Sequence, residues 1–352
     1  MLSVTVALLA YKEEDNLKIL IPKIIQNMKI IGCDFEIQVI DTEQPMDNTE
    51  SVCREFGVIY RNQEYPKFGG AFKTAIKYAN NDLFLILDSD GSHNPKYIPE
   101  MYEKFVSENC DLVIGSRYVS GGKTLDSKLS IIMSQLLNFV FRFFLGIKAK
   151  DISTDFRLYD TKQLKEIDLI NKNYDVLQEV ILKLKLKNSN FKIREIPITF
   201  EKRKFGESKR KLFQFIVSYI KSLLILTKLR FPWIQNLVLY GIIGLIGAFI
   251  DYFIFVSLSI KGITPEIANI LGAFGGFIFT FLTNTLLNFK KTSNLLKRFF
   301  RYGAVCIVGM MISTLCFSLL KGICNIYFIK LFIMFFISLL QFWANKLITF
   351  RD

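Results

Sequence analysis

The sequence predicts an α/β domain, Rossmann-like with a mostly parallel sheet, followed by an all-α membrane domain of four transmembrane helices. Two observations carry this. Over about residues 1–209, short apolar runs alternate with segments of helical periodicity. From about Phe231 onward the chain is mostly Leu, Ile, Phe, Gly and Val, in stretches close to the roughly 20 residues that a helix needs to cross a bilayer.

The elements follow in order. "SVTVALL" reads as a buried strand that leads to Tyr11. Leu17, Leu20, Ile21, Ile24, Ile25 and Met28 have helical spacing, with Glu13, Glu14 and Asp15 near the start of that helix. "FEIQVID" is a second strand, closed by Asp41. A helix over about 48–56 and a short strand "VIYR" come next. "FGGAFKTAIKYA" is a helix opened by Gly69 and Gly70. "DLFLILD" is a strand closed by Asp88, 95–106 a helix, and "DLVIGSRY" a strand that runs into Arg117. Strands alternating with helices imply a parallel, doubly wound sheet, and such sheets bind ligands beyond the carboxyl ends of their strands. Tyr11, Asp41, Asp88 with Asp90, and Arg117 therefore converge on one edge. No G-x-G-x-x-G follows the first strand, which argues against a dinucleotide fold of the dehydrogenase kind.

Two apolar stretches precede the membrane domain. One, at 129–145, is broken by Ser134, Gln135, Asn138 and Arg142. The other, at 211–229, has a polar stripe of Lys211, Gln214, Ser218, Lys221 and Ser222, with Lys228 further on. Their flanking lysines favour helices that lie in the bilayer interface over helices buried in protein. The expected domains are 1–209, which includes an interface helix near 127–145; a second interface helix at 210–230; and the membrane domain at 231–352.

The four spans are expected at about 234–260, 264–287, 301–320 and 326–347. The connector between the second and third holds Lys290, Lys291, Lys297, Arg298 and Arg301, while the other two are nearly uncharged. The positive-inside rule puts that connector, both termini and the soluble domain in the cytoplasm. "LSVTVALLA" lacks a signal peptide's basic start, in agreement. The membrane domain also repeats itself. Phe281, Asn284, Phe289 and Lys290 match Phe342, Asn345, Phe350 and Arg351 at a constant offset, and "LYGIIGLIG" echoes "RYGAVCIVG". A duplicated helical hairpin is implied. Asp251 lies inside the first span, where an acid is either functional or close enough to a helix end to reach water.

The net charge is +13, with much of the excess beside apolar helices. That placement points to a membrane surface, and no nucleic-acid motif is present. The six cysteines form no C-x-x-C pair and suggest neither a disulfide framework nor a zinc site.

The chemistry centres on "LDSDGSHNP". In a strand, residues two apart point to one side, so Asp88 and Asp90 can reach one hard cation. Magnesium and manganese take oxygen ligands and often bridge a protein carboxylate to a substrate diphosphate. The single histidine, His93, stands beside this pair, with a general-base role as its lesser reading.

The first 210 residues resemble glycosyltransferase family 2 with its GT-A fold, and in particular the polyprenyl-phosphate (dolichyl-phosphate) sugar synthases. "AYKEEDNL" is similar to the family's opening motif P-x-Y-N-E-x-x-N-L, and "LDSDGSHNPKYIPEM" to its D-x-D region. "DLVIGSRYVSGG" and "KRKFGESK" are similar to two further motifs. The membrane domain resembles the GtrA-like four-span family. The resemblance implies an inverting, metal-dependent hexosyltransferase that moves a sugar from a GDP- or UDP-hexose to a polyprenyl phosphate. It implies that Tyr11, Glu13 and Asp41 hold the nucleoside, and that Asp88 and Asp90 hold Mg2+ or Mn2+ and the diphosphate. Arg117 and Lys128 would meet the acceptor phosphate. Arg203, Ser208 and Lys209 would close over phosphates, and a homo-oligomer is a possible assembly. The chain departs from the family pattern at Leu9, Ala10 and Lys12, in "DTEQPMDNT", at Ser92 (a glutamine in mannose synthases) and at Asp155 (often glycine). The alternatives are a transferase that acts on another lipid or a growing glycan, and a lipid-linked sugar transporter whose soluble domain only binds nucleotide sugar.

Overall fold

A computed structural model describes residues 1–202, 212–320 and 326–351, and the chain divides into two units, Met1–Arg230 and Phe231–Asp352. Among the described residues, nine strands, eight α-helices and a 3-10 turn (Pro95–Tyr97) make the first. The strands are β1 (Val4–Leu9), β2 (Phe35–Asp41), β3 (Ile59–Asn62), β4 (Leu83–Asp88), β5 (Leu112–Ser116), β6 (Lys123–Thr124), β7 (Arg157–Asp160), β8 (Ile193–Pro197) and β9 (Thr199–Phe200). The helices are α1 (Glu14–Ile31), α2 (Thr49–Glu55), α3 (Lys67–Tyr78), α4 (Ile98–Ser107), α5 (Lys128–Leu145), α6 (Thr161–Lys165), α7 (Val176–Lys187) and α8 (Leu212–Arg230).

The main sheet has the order β3-β2-β1-β4-β7-β5-β8. Its central strands are apolar on both faces because helices cover both sides. Along β4, Phe84 and Ile86 enter one core while Leu83, Leu85 and Leu87 enter the other, as a period of two requires. Helix α1 buries Leu17, Leu20, Ile21, Ile24 and Met28 along one stripe and stops at Gly32, whose φ of 74° suits glycine. All strand pairs but those of β7 are parallel in this sheet; β7 runs antiparallel to both β4 and β5. This strand was not foreseen. It is four residues long and carries a fully buried arginine, so neither hydropathy nor alternation marks it.

Helices α5 and α8 pack Phe141, Leu145 and Leu226 into the core and yet also bury polar side chains and leave apolar ones exposed. In α5, Leu129, Ile132, Leu136, Phe139 and Phe143 stand exposed in a stripe of helical spacing, while Asn138 is buried. In α8, Ser222 is buried and its hydroxyl accepts from Asn171 Nδ2 at 3.0 Å, and Ser218 accepts from Asn173 at 2.9 Å. Ile220 and Leu224 face outward. Part of the polar stripe thus meets protein, and the exposed surface of α8 mixes Ile220, Leu224 and Leu229 with Lys221 and Lys228. Arg230 ties the two helices together by donating to the carbonyl of Phe144 near the end of α5 at 2.7 Å.

The second unit comprises α9 (Trp233–Ile260), α10 (Pro265–Thr283), α11 (Leu295–Leu320) and α12 (Ile326–Ala344). Both α10 and α12 continue into a π-helical turn, Asn284–Asn288 and Asn345–Thr349. The repeat seen in the sequence has a structural counterpart here. Asn284 donates to the Tyr302 hydroxyl at 3.3 Å, and Asn345 donates to the Tyr240 hydroxyl at 3.0 Å. Each asparagine thus meets the tyrosine that opens the other hairpin. Phe289 and Phe350, equivalent residues of the two copies, stack with ring centres 4.3 Å apart. Helices α9 and α10 approach closely where a Cβ on Gly276 would stand 2.7 Å from the Gly247 carbonyl oxygen. Asp251 sits at this contact: a Cβ on Gly272 would lie 2.6 Å from its carboxylate oxygen.

Among the described residues, five helices rather than the expected four are long and apolar enough to cross a membrane, by length and composition. The fifth is α5. Length and hydropathy do not distinguish it, because its few polar side chains sit on one face.

The turn into α3 depends on close backbone approach. A Cβ on Gly70 would fall 2.0 Å from the Tyr65 carbonyl oxygen, with no flexible side-chain end to yield. We predict that Gly70→Ala lowers unfolding free energy by about 1–3 kcal/mol, measured as a fall in melting temperature of the purified protein.

Candidate active site

The carboxyl ends of β1, β2, β4 and β5 lie on one edge of the sheet, and they place Asp41, Asp88 and, one residue beyond Ser116, Arg117. Because β7 is antiparallel, the loop that precedes it arrives at the same edge. That loop, 151–155, supplies Asp151, Ser153, Thr154 and Asp155. A cavity of about 540 Å3 opens here, bounded by Asp88, His93, Arg117, Ser153, Thr154, Asp155, Glu201 and Lys202. Leu129, Met133 and Leu137 of α5, Leu177 of α7 and Tyr219 of α8 give it an apolar side, which Asp126, Ser127, Ser130 and Ser134 border. The site thus joins a polar floor to an apolar side.

Arg117 and Asp151 form the floor's charged pair. Arg117 donates through Nε to Asp151 Oδ2 at 2.7 Å and through Nη2 to Oδ1 at 2.9 Å. The same Nη2 reaches the hydroxyls of Ser153 at 2.7 Å and Ser134 at 3.2 Å. Asp151 is fully buried. Burial alone would raise its pKa, but the charge and hydrogen bonds of Arg117 outweigh that and hold it below the usual carboxylate range. The surroundings fix this pair. Glu195 accepts from the backbone N–H of Lys150 and Asp151 at 2.8 and 3.0 Å, and Asn138 of α5 accepts from Ile152 N at 2.9 Å. Arg157, itself fully buried, donates to the carbonyls of Ile152, Thr154 and Leu177.

Beside this pair stand Asp88, His93 and Asp155. One carboxylate oxygen from each acid and the imidazole Nδ1 lie within 4.8 Å of one another. His93 is fully buried; its Nδ1 accepts from Asp88 N–H at 3.1 Å, and its Nε2 pairs with the Thr154 hydroxyl at 3.1 Å. That pattern holds the ring neutral, and burial lowers its pKa further. The ring orders the turn and has no free nitrogen to act as a general base, so the lesser reading of His93 is set aside. Burial, followed by the neighbouring Asp88 charge, pushes the Asp155 carboxyl well above its ordinary range. Hard-oxygen donors of this kind suit Mg2+ or Mn2+.

The remaining residues singled out in the sequence lie around this centre. Asp90 is buried in the turn after β4, and its Oδ1 accepts from Ser92 N at 3.0 Å and Ser92 Oγ at 2.5 Å. Asp41 is buried at the end of β2, where Thr42 N–H donates to it at 2.7 Å and the Tyr60 hydroxyl at 3.1 Å; burial raises its pKa. Tyr11 is exposed beyond β1, and Glu13 accepts from Asn16 at 2.7 Å at the start of α1. Lys128 is exposed at the first position of α5, between cavity residues Ser127 and Leu129. Arg203, Ser208 and Lys209 lie outside the described residues. The chain reaches that segment through Glu201, whose N–H donates to Ser92 O at 2.9 Å, and then Lys202 on the cavity wall.

Asp151, Ser134, Ser153 and Asp155 were not assigned to the site from the sequence. The one available signal was "DISTDFRLY" itself, two acids in a stretch that otherwise reads as a short connector.

Sheet, edge and cavity define a GT-A-like α/β domain in a chain that also carries several apolar helices. Residues 5–168 match the family Glycosyl transferase family 2, and residues 239–350 match the GtrA/DPMS transmembrane domain. The chain is similar to a dolichol-phosphate mannosyltransferase of Pyrococcus furiosus, 27% identical over 337 residues that cover 91% of each chain. It is also similar to a polyprenol monophosphomannose synthase of Mycolicibacterium smegmatis, 29% identical over 56% of this chain and 77% of the relative. The fold is shared with glucosyl-3-phosphoglycerate synthase of Mycobacterium tuberculosis, solved with Mn2+, uridine diphosphate and glucosyl-3-phosphoglycerate. That match has a TM-score of 0.50 and 17% identity, over 64% of this chain and 80% of that one.

Because Asp151 is fully buried, removal of its partner leaves an uncompensated charge. Arg117→Leu should cost about 3–5 kcal/mol of stability, seen in thermal unfolding, and Arg117→Leu with Asp151→Leu should recover much of it. Asp151 has a depressed folded pKa, so the pair's contribution is present above the usual carboxylate range. It is lost as pH falls through the depressed value, and the gap between Arg117→Leu and the parent should narrow there.

Proposed function

We propose that this protein transfers a hexose from a nucleoside-diphosphate sugar to a polyprenyl phosphate, with inversion, at the cytoplasmic face of a membrane. The observation that carries the reading is the cavity itself. Its polar floor, with Asp88 and Arg117, opens directly onto apolar walls from α5 and α8. A phosphate attached to a hydrocarbon chain needs both environments at once. The names of the Pyrococcus and Mycolicibacterium relatives support the same acceptor class.

The donor's nucleoside is assigned to Tyr11, Glu13 and Asp41, at the ends of β1 and β2. Asp88 and Asp90 are assigned to a divalent cation, Mg2+ or Mn2+, which offsets negative charge on the departing nucleoside diphosphate when bound. The acceptor needs no strong base, because a lipid monophosphate is largely ionised near neutral pH. Its oxygen attacks the anomeric carbon as the bond from that carbon to the diphosphate breaks, and one displacement inverts the centre. The protein's work is positioning and the screening of two anions from each other. Arg117 is already neutralised by Asp151, so it contributes directed N–H donors more than net charge. Positive charge on the wall comes from Lys202, which lines the cavity with Glu201 and Asp126, and is assigned also to Lys128, Arg203 and Lys209, with Ser208 as a further donor.

Helices α5 and α8 are assigned to the bilayer interface. Their exposed Ile, Leu and Phe side chains face away from the protein, while Ser134 and Asn138 of α5 serve the site and Ser218 and Ser222 of α8 bond Asn173 and Asn171. On this reading α5 lies on the membrane and the four helices of the second unit cross it, with both termini cytoplasmic.

The direct test incubates purified protein with a panel of GDP- and UDP-hexoses, Mg2+ or Mn2+, and polyprenyl phosphate, and weighs the lipid product. Polyprenyl-phosphate hexose is expected; product on free polyprenol or on sugar acceptors instead would overturn the assignment. Asp88→Asn should lower kcat/KM by about 100-fold or more, and EDTA should abolish turnover reversibly. A separate test addresses the interface. Ile132→Glu with Phe139→Glu should slow transfer to long-chain acceptor in vesicles by about tenfold or more. Transfer to a short, water-soluble prenyl phosphate should stay within about twofold, since neither residue lines the cavity.

A further inference from the structure

We propose that Asp155 is a carboxylate ligand of the site's divalent cation, shared with Asp88. The inference rests on the metal-dependent reading above and deepens it. Most of the geometry is already given. Asp155 is 6% exposed and lies on the cavity wall. One of its carboxylate oxygens lies within 4.8 Å of one from Asp88 and 3.5 Å from His93 Nδ1. That nitrogen's lone pair already accepts the Asp88 N–H, so it has no proton to give Asp155. Three acceptor groups therefore face one another in a buried corner. Like-charged carboxylates at this range are unfavourable unless a cation or a proton stands between them.

The neighbouring residues favour the cation. The corner opens on the cavity, where a donor diphosphate must come, and a hard cation with few protein ligands keeps positions for phosphate oxygens. Asp90, the other acid of the pair expected from the sequence, has one oxygen committed to both the N–H and the hydroxyl of Ser92. Asp155 adds a second carboxylate beside Asp88. Loop 151–155 is pinned from outside the site by Arg157 and Asn138, so the carboxylate is presented on a rigid support.

The test measures metal binding without turnover. Full-length protein in detergent is titrated with Mn2+ at one fixed near-neutral pH, and free Mn2+ is read by electron paramagnetic resonance. Asp155→Asn and Asp155→Gly are each expected to weaken Mn2+ binding about tenfold or more. Binding within about twofold of the parent in both variants would overturn the proposal and leave a shared proton as the answer to the facing carboxylates. Asp88→Asn separates this inference from its foundation. If it also binds Mn2+ like the parent, the metal-site reading fails as a whole. If it loses the metal while the Asp155 variants keep it, only the role of Asp155 fails. Should the Asp155 variants not fold, the unmodified protein decides by the anomalous signal of Mn2+ in crystals. A peak roughly 2.0–2.6 Å from an Asp155 oxygen supports the proposal, and a peak on Asp88 with Asp155 out of reach overturns it.

Discussion

A fully buried carboxylate stays ionised only if something buried with it is positive, and here Arg117 meets that need for Asp151. The pair is bidentate and desolvated, and it joins the end of β5 to the loop before β7. Much of the site's architecture hangs on this one contact. It sets where loop 151–155 stands, and with it Ser153, Thr154 and Asp155. Ser134 and Asn138 reach the same cluster from α5, so the pair also orients the apolar helix that walls the cavity. A buried ion pair is weak evidence of net stability, since an apolar replacement can do as well. Its value here is geometric: only one arrangement satisfies both charges.

The exposed apolar side of α5 follows from that constraint. When Ser134 and Asn138 must point inward to serve Arg117 and Asp151, the far side of α5 is left with leucine, isoleucine and phenylalanine. In α8 a separate set of bonds has a like effect, since Ser218 and Ser222 turn inward to Asn173 and Asn171. Neither apolar surface is a core face in the first unit. An exposed surface of this extent on both helices belongs against another apolar medium. The second unit solves the related problem of polar groups within apolar helices by reciprocity. Each hairpin's asparagine meets the other's tyrosine, so the two copies satisfy one another's buried groups.

Much of this was legible in one dimension. The strands from β1 to β5 and the helices between them announce themselves because a central parallel strand must be apolar on both faces and the helices beside it on one stripe. Asp41, Asp88 and Arg117 could be placed at strand ends by counting. The duplicated hairpin was visible because the copies retain Asn284 and Asn345 in the same local context. The antiparallel β7 was not, since four residues around a buried arginine carry no periodicity. With β7 missed, loop 151–155 had no address, and Asp151 and Asp155 had no reason to be near Asp88.

By itself, then, the sequence determined the strands from β1 to β5, the helices between them and the membrane-length apolar runs, because those depend on local hydropathy and spacing. Tertiary structure alone decided which acids share a corner, which face of α5 and α8 looks outward, and that Asp90 leans on Ser92 while Asp155 faces Asp88. Such choices depend on charges and hydrogen-bonding groups brought together from positions far apart in the chain. Desolvation makes each of them matter only once the chain has closed around it.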